Sequence, residues 1–282
     1  MLRTPSVRLL EDRDVADVRA ILASDPVVNV FVTSRIEAAG LDPWRLGAEV
    51  WGYTDRVTGE LTALCYSGAN LVPVGDDPAA LRAFAERARR QGRRCSSIVG
   101  PEPAVAPLWR ALLPHWGEAR DIRPGQPLMA TSRPSLVDPD PLVRRVQPDD
   151  LEVLLPASVA MFTEEVGVSP DMGDGGALYR ARVAEIVGSG RAFARIEDGR
   201  VIFKAEVGAA TAAACQVQGV WVDPALRGTG VGTAGMAAVV DEALRSIAPV
   251  VSLYVNNYNE SARRAYRKVG FADIGSFMSV LF

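Results

Sequence analysis

The sequence predicts an α+β protein built as two halves on a common plan. Three observations carry that prediction. The chain has 282 residues, about twice the usual length of a single domain. A strand followed by an acidic helix start occurs near its beginning and again near its middle. The second half then closes with strand, glycine-rich loop, helix, strand and helix, in that order.

The first half opens with Val7-Arg8, then Asp14, then a helix pattern carried by Val15, Val18, Ile21 and Leu22, which fall on one face at helical spacing. Strands are expected at residues 50–53, 61–66 and 71–74. A turn at Gly75-Asp76-Asp77-Pro78 leads into a helix over 79–90, and a carboxylate at a helix start caps it. A strand at 96–99 precedes a helix containing Trp109. Residues 131–141 hold Pro134, Asp138, Pro139, Asp140 and Pro141, a linker composition that sets an expected boundary near 135 and domains of 1–134 and 135–282.

The second half repeats the opening with Val143-Arg144, Asp150 and then Leu151, Val153, Leu154 and Leu155. A glycine-rich segment over 169–176, with Pro170, Gly173, Gly175 and Gly176, reads as a mobile substrate loop. A helix is expected over 179–187, and strands at 192–196, 201–207, 215–222 and 251–255.

Between the last two strands, residues 219–232 read Gly-Val-Trp-Val-Asp-Pro-Ala-Leu-Arg-Gly-Thr-Gly-Val-Gly. This is the build of an anion seat: a helix start leaves its first backbone N–H groups without internal partners, and glycines let a phosphate approach them. Arg227 adds a full positive charge. A P-loop is excluded, since the stretch has no lysine. Gly230, Gly232 and Gly235 match a dinucleotide fingerprint formally, but Asp223 and Pro224 separate them from their strand and no acidic residue answers about 20 residues on.

Arg227, Gly230 and Gly232 instead spell Arg-x-x-Gly-x-Gly, and downstream come Asn256, Asn259, Ala262, Tyr266, Gly270 and Phe271. Together these resemble the coenzyme site of the GNAT superfamily of N-acetyltransferases, over residues 143–282. The resemblance implies a mixed central sheet flanked by helices in each half, a tandem GNAT fold, and acetyl-CoA as cosubstrate with no metal. It implies coenzyme contacts at Val220, Trp221 and Val222, at Arg227, Gly228, Thr229, Gly230, Val231, Gly232 and Thr233, and at Asn259, Ser261 and Ala262. Tyr266 matches the general acid that protonates the departing thiolate, and Gly219 is a plausible bulge. The base is open: Glu165 or Glu164 first, then Glu206, which shares a strand face with Lys204.

In the first half, Asp76 and Asp77 stand where the second has its glycine loop, and Trp109 stands near the place of Tyr266. A degenerate GNAT-like domain that binds no coenzyme is therefore expected there. The two-domain plan also resembles mycothiol synthases, from which Arg227 departs where glutamine is common; a coenzyme-binding sensor without catalysis is the reading from another class.

Composition narrows the partners. A net charge of −3 and the lack of a basic, aromatic-interleaved patch exclude the footprint of a nucleic-acid binder. No run approaches the roughly 18 apolar residues of a membrane span, and the charged start does not read as a signal peptide, so the expected address is the cytoplasm. Cys65, Cys95 and Cys215 suggest neither disulfides nor zinc, and His115, the single histidine, leaves no Ser-His-Asp machinery. The expected acceptor is a small-molecule or peptide amine, with Asp171 and Asp174 favouring a cationic one.

Overall fold

The computed structural model describes residues 7–55, 58–170 and 175–282. In chain order its elements are β1 (Val7–Leu9), α1 (Val15–Leu22), α2 (Val30–Ala39), α3 (Pro43–Leu46), β2 (Glu49–Thr54), β3 (Leu61–Ser67), β4 (Asn70–Val74), α4 (Pro78–Gln91), β5 (Ser97–Pro101), α5 (Glu102–Trp116) and β6 (Asp121–Thr131). There follow β7 (Arg144–Arg145), α6 (Leu151–Val166), α7 (Ala177–Gly188), β8 (Ala192–Glu197), β9 (Arg200–Ala210), β10 (Cys215–Val222), α8 (Val231–Ser246), β11 (Val251–Tyr254), α9 (Glu260–Val269) and β12 (Ala272–Leu281). The chain divides into two compact units. The first runs to Leu128 and takes back Tyr254–Tyr258 and Ile274–Phe282; the second comprises Met129–Leu253 and Asn259–Asp273.

In the first unit the strands lie in the order β1-β2-β3-β4-β5-β12, antiparallel except for the parallel β4–β5 pair. One hydrophobic cluster holds Trp51, Phe84, Ile98 and Leu108, joined by Met278 and Val280 of β12, and another holds Leu10, Leu22, Leu41 and Leu64. Helix α4 shows why the sequence folds this way locally. The Asp77 carboxylate accepts from the N–H groups of Ala79 and Ala80 at 3.2 and 3.0 Å, Pro78 occupies the first turn, and Ala80, Leu81, Phe84, Ala85 and Ala88 form the buried stripe. Gly92, at φ 74°, ends it.

In the second unit the order is β11-β10-β9-β8-β7, with β10–β11 parallel and the rest antiparallel. An Asp198-Gly199 turn with φ of 49° and 71° closes the β8–β9 hairpin, as two consecutive left-handed residues do. Leu154 of α6 and Val183, Ile186 and Val187 of α7 cluster with Val146, Ala192, Ala194 and Val201. On α8, Gly235 leaves no room for a side chain: a Cβ there would stand 2.7 Å from the Phe203 ring.

The repeated opening is real at atomic level. Arg8 donates twice to Asp14, both at 2.7 Å, while the Glu11 N–H donates to the same carboxylate at 2.9 Å. Arg144 donates to Asp150 at 2.6 and 2.9 Å, and the Gln147 N–H at 2.8 Å. Residues 132–143 form neither helix nor strand, as their composition predicts, yet they are anchored: Leu136 N–H donates to the Val269 carbonyl at 2.9 Å and Asp140 N–H to that of Ala234 at 3.0 Å. Four elements have no counterpart in the sequence expectations, namely α2, α3, β6 and β12.

Candidate functional site

Strand β10 is followed by Asp223, whose carboxylate caps the next turn through Ala225 N–H at 3.0 Å and holds Arg200 at 2.6 Å. The chain then passes through Arg227 and Gly228, at φ 81°, to Gly230, at φ 98°, which begins α8 with no side-chain cap. The amides of Val231 and Gly232 lie in the first turn and have no intrahelical acceptor. In α4 the first residue, Pro78, has no N–H, and the amides of the second and third, Ala79 and Ala80, are taken by Asp77. The second unit thus presents an open helix start where the first presents one closed by its own carboxylate.

A cavity of about 540 Å³ lies against this start. Of the expected coenzyme residues, Val220, Trp221, Val222, Arg227, Gly228, Gly230, Gly232, Thr233, Asn259, Ser261 and Ala262 line it, whereas Thr229 and Val231 do not. The Thr229 hydroxyl donates to the Leu226 carbonyl at 2.7 Å and closes the turn. Arg264 and Lys268 also line the cavity, two cations that spacing alone did not single out; both lie on α9, which has Arg or Lys at 263, 264, 267 and 268. The lining holds three cations, Arg227, Arg264 and Lys268, and one carboxylate, Glu164, so it favours an anion even with Arg264 paired to Glu260 at 3.1 Å.

The sheet opens beside this cavity. Strands β10 and β11 are registered at Cys215 with Val251 and Gln216 with Ser252, and the register stops there. From Gly219 onward β10 is registered only with β9, so its other edge is open, while the Gly219 and Val222 carbonyls accept from Lys204 and Arg227 at 3.1 Å each. Gly219 is at φ 59°, inside a register irregularity between Gln218 and Trp221, the bulge its sequence position suggests.

The expected catalytic residues separate. Tyr266 lines the cavity, is 7% exposed and packs edge-on against Phe271; burial, with a smaller contribution from Glu165, pushes its phenol well above the ordinary value. Tyr266 therefore stays protonated throughout the neutral range. Glu164 lines the cavity but is engaged: it accepts from Arg227 at 2.8 and 3.0 Å and from the Trp221 indole at 3.3 Å. Glu165 and Glu206 do not line it. Glu206 is buried, accepts from Gln218 at 2.9 Å and lies 3.6 Å from the Lys204 ammonium. Asn259 caps α9 by accepting from Ala262 N–H at 3.1 Å. Asp171, Gly173 and Asp174 of the expected substrate loop lie outside the described residues.

Lys204 is the residue whose importance the sequence reading missed. Its ammonium donates to the Gly219 carbonyl at 3.1 Å, and burial holds its pKa below the ordinary value against the opposing pull of Glu206. A lysine in the middle of an otherwise apolar strand, Val-Ile-Phe-Lys-Ala, was the available signal. Among the described residues no cluster able to hold a metal ion is present, and no helix is long and apolar enough to cross a membrane.

Comparisons with known proteins bear on the family and the fold. Residues 165–271 match the acetyltransferase (GNAT) family, and residues 48–154 match a domain of unknown function, DUF4081. No curated protein sequence matches the chain. Among solved structures, a GCN5-related N-acetyltransferase from Sphaerobacter thermophilus superposes with a TM-score of 0.60 at 16% identity, covering 97% of this chain and 93% of that one. An acetyltransferase of the GNAT family from Colwellia psychrerythraea gives 0.55 at 11%, covering 98% and 99%. A tandem GNAT protein from the clavulanic acid biosynthesis pathway gives 0.53 at 14%, covering 98% of each chain. At these identities the likeness is one of fold: an α+β tandem GNAT arrangement with a mixed sheet. Acyl transfer in general is the chemistry that this family supports.

Proposed function

We propose that this chain, whose C-terminal half carries a domain of the GNAT acetyltransferase family, is an acetyl-CoA-dependent N-acetyltransferase acting on an amine by direct transfer. The observation that carries this reading is the uncapped start of α8 beside Arg227, in a cavity that also holds Tyr266. A contrast within the molecule supports its fit to a diphosphate: Asp77 occupies the first-turn amides of α4 and would repel one.

Bound acetyl-CoA would supply an activated thioester. The free amide of Gly232, with Arg227, would hold the diphosphate, and the main chain of Val220, Trp221 and Val222 would align the pantetheine arm along the open edge of β10. Tyr266 would give its proton to the sulfur as the C–S bond breaks. A phenol held protonated by burial is always ready to donate, at the cost of a weaker driving force. For the base we keep Glu165 or Glu164 ahead of Glu206: Glu164 lines the cavity, where Arg227 engages it, and Glu206 is held by Gln218 and Lys204.

Calorimetric titration with CoA, followed by thiol release from acetyl-CoA over a panel of amines, tests the assignment. Arg227→Glu should abolish binding. Tyr266→Phe should keep binding and lower kcat by about 100-fold, the usual scale for a positioned general acid. Binding with no thiol release from any amine would favour the sensor reading, and no binding at all would remove both.

A further inference from the structure

Among the described residues, Lys204 is the only charged side chain below 2% exposure. A buried ammonium is a poor choice for stability, since methionine would fill similar space without the desolvation penalty. Its surroundings suggest another use. On β9 and β10, Glu206 pairs with Gln218 and Lys204 with Trp221. Gly219 and Val220 therefore oppose Ala205 alone, a one-residue bulge, and Lys204 donates to the carbonyl of its first residue at 3.1 Å. Gly219 is at φ 59°, and a Cβ there would stand 3.1 Å from Glu206 and 3.2 Å from Met161. Glycine is needed for the conformation, and the lysine holds it.

The peptide joining Gly219 to Val220 is trans and planar. Its N–H, on Val220, therefore points opposite to the carbonyl that Lys204 grips, and Val220 lines the cavity. The geometry points to Lys204 as a positioning residue for acyl transfer: it fixes the Gly219–Val220 peptide so that the Val220 N–H meets the thioester oxygen, and its charge polarises that peptide and strengthens the donor. This rests on the reading of the cavity as an acetyl-CoA site. When the amine nitrogen bonds to the acyl carbon the oxygen gains negative charge, and when the C–S bond breaks its electron pair leaves on sulfur. A donor already aimed at that oxygen favours the charged stage over the bound thioester. An ammonium on the carbonyl side of the same amide makes the N–H more positive, as in any cooperative hydrogen-bond chain.

The test reads polarisation directly, with no amine present. Acetyl-CoA labelled with carbon-13 at the acyl carbonyl is bound to the wild-type protein and its carbonyl resonance recorded. The expected result is a downfield shift on binding that returns toward the free value in Lys204→Met, while affinity for CoA stays unchanged. Should Lys204→Met fail to fold with Glu206 left alone, the double variant Lys204→Met with Glu206→Gln removes both buried charges and gives the same reading; Glu206→Gln alone should keep the shift. Once an accepting amine is in hand, Lys204→Met should lower kcat by about tenfold, less than the full loss of an oxyanion donor, with KM for acetyl-CoA unchanged. A wild-type complex with no downfield shift, or a shift of equal size in the lysine variants, overturns the role of Lys204 and leaves the coenzyme site standing. Failure of the wild-type protein to bind acetyl-CoA overturns both.

Discussion

At the scale of single residues, charge decides how the cavity behaves before a ligand arrives. Glu164 and Arg227, each 47% exposed, pair at 2.8 Å in the lining of the cavity. A diphosphate must share Arg227 with that carboxylate. Glu164→Gln should therefore tighten CoA binding by up to about fivefold, the range of an exposed ion pair, as titration calorimetry at low salt would show; weaker binding would mean that Glu164 holds Arg227 in its working position. Asp14 gives the pH counterpart. Its hydrogen bonds from Arg8 hold the carboxyl at about 2, below the ordinary value near 4 that it regains on unfolding. A depressed folded pKa stabilises above the unfolded value, so the contribution is complete by about pH 5 and disappears as pH falls from about 4 to 2. With Arg8 half-exposed, about 1–2 kcal/mol is the expected size. Urea unfolding of Asp14→Asn should show that loss at pH 7 and little difference at pH 2. The glycine loop, Arg227 and Tyr266 were legible because backbone donors, positive φ and residue type are local properties of sequence. Lys204 was not, because what it grips is a carbonyl exposed by a bulge that exists only once β9 and β10 pair.

At the scale of elements, the same glycine run carries a second demand that spacing alone misassigns. Gly235 fits the third position of a dinucleotide fingerprint, yet here it lies one helical turn into α8 against Phe203, which is fully buried. Alanine would improve helix propensity by about 1 kcal/mol. Against that, a methyl 2.7 Å from a ring without room to move must push α8 from β9, at a typical cost of about 1–3 kcal/mol. Gly235→Ala is therefore expected to lower stability by about 1 kcal/mol in chemical denaturation and to weaken CoA binding, since the helix start and the strand edge would separate. Unchanged stability would show that the contact relaxes at no cost. Helices such as α4, with cap, stripe and terminal glycine in sequence, were legible. The strands β6 and β12 were not: β6 carries Pro124, Gly125 and Pro127, turn signals in a strand, and β12 starts with four exposed residues before its buried run, so neither shows the alternation by which a strand is recognised.

At the scale of the whole molecule, the unrecognised β12 changes where the chain can be divided. Composition places a boundary near 135, and we propose that division as the functional one, with coenzyme chemistry confined to 135–282. The folding units follow different limits, since Ile274–Phe282 belongs to the first. Strand β12 pairs with β5 from Phe277 with Pro101 to Leu281 with Ser97; Val280 is fully buried, Met278 nearly so, and Phe282 packs edge-on against Trp109 and Trp116 at 5.6 and 5.8 Å. A fully buried apolar side chain contributes about 1.5–3 kcal/mol, so Val280 and Met278, with a smaller share from the partly buried Phe282, are comparable to the lower end of the stability of an ordinary domain, about 5–15 kcal/mol. Deleting residues 274–282 should therefore unfold the first unit even though the deleted segment lies far from it in sequence, with loss of the near-ultraviolet signal of Trp51 and Trp109. The milder Val280→Ala should cost about 2 kcal/mol by the usual scale of a core truncation. For the same reason residues 135–282 expressed alone would carry a strand whose hydrogen-bonding edge and apolar face have lost their partners, the condition that drives edge-to-edge aggregation. A soluble, coenzyme-binding 135–282 fragment with β12 still attached would show that this strand finds its stability within the second half, and that the compositional boundary is also a folding boundary.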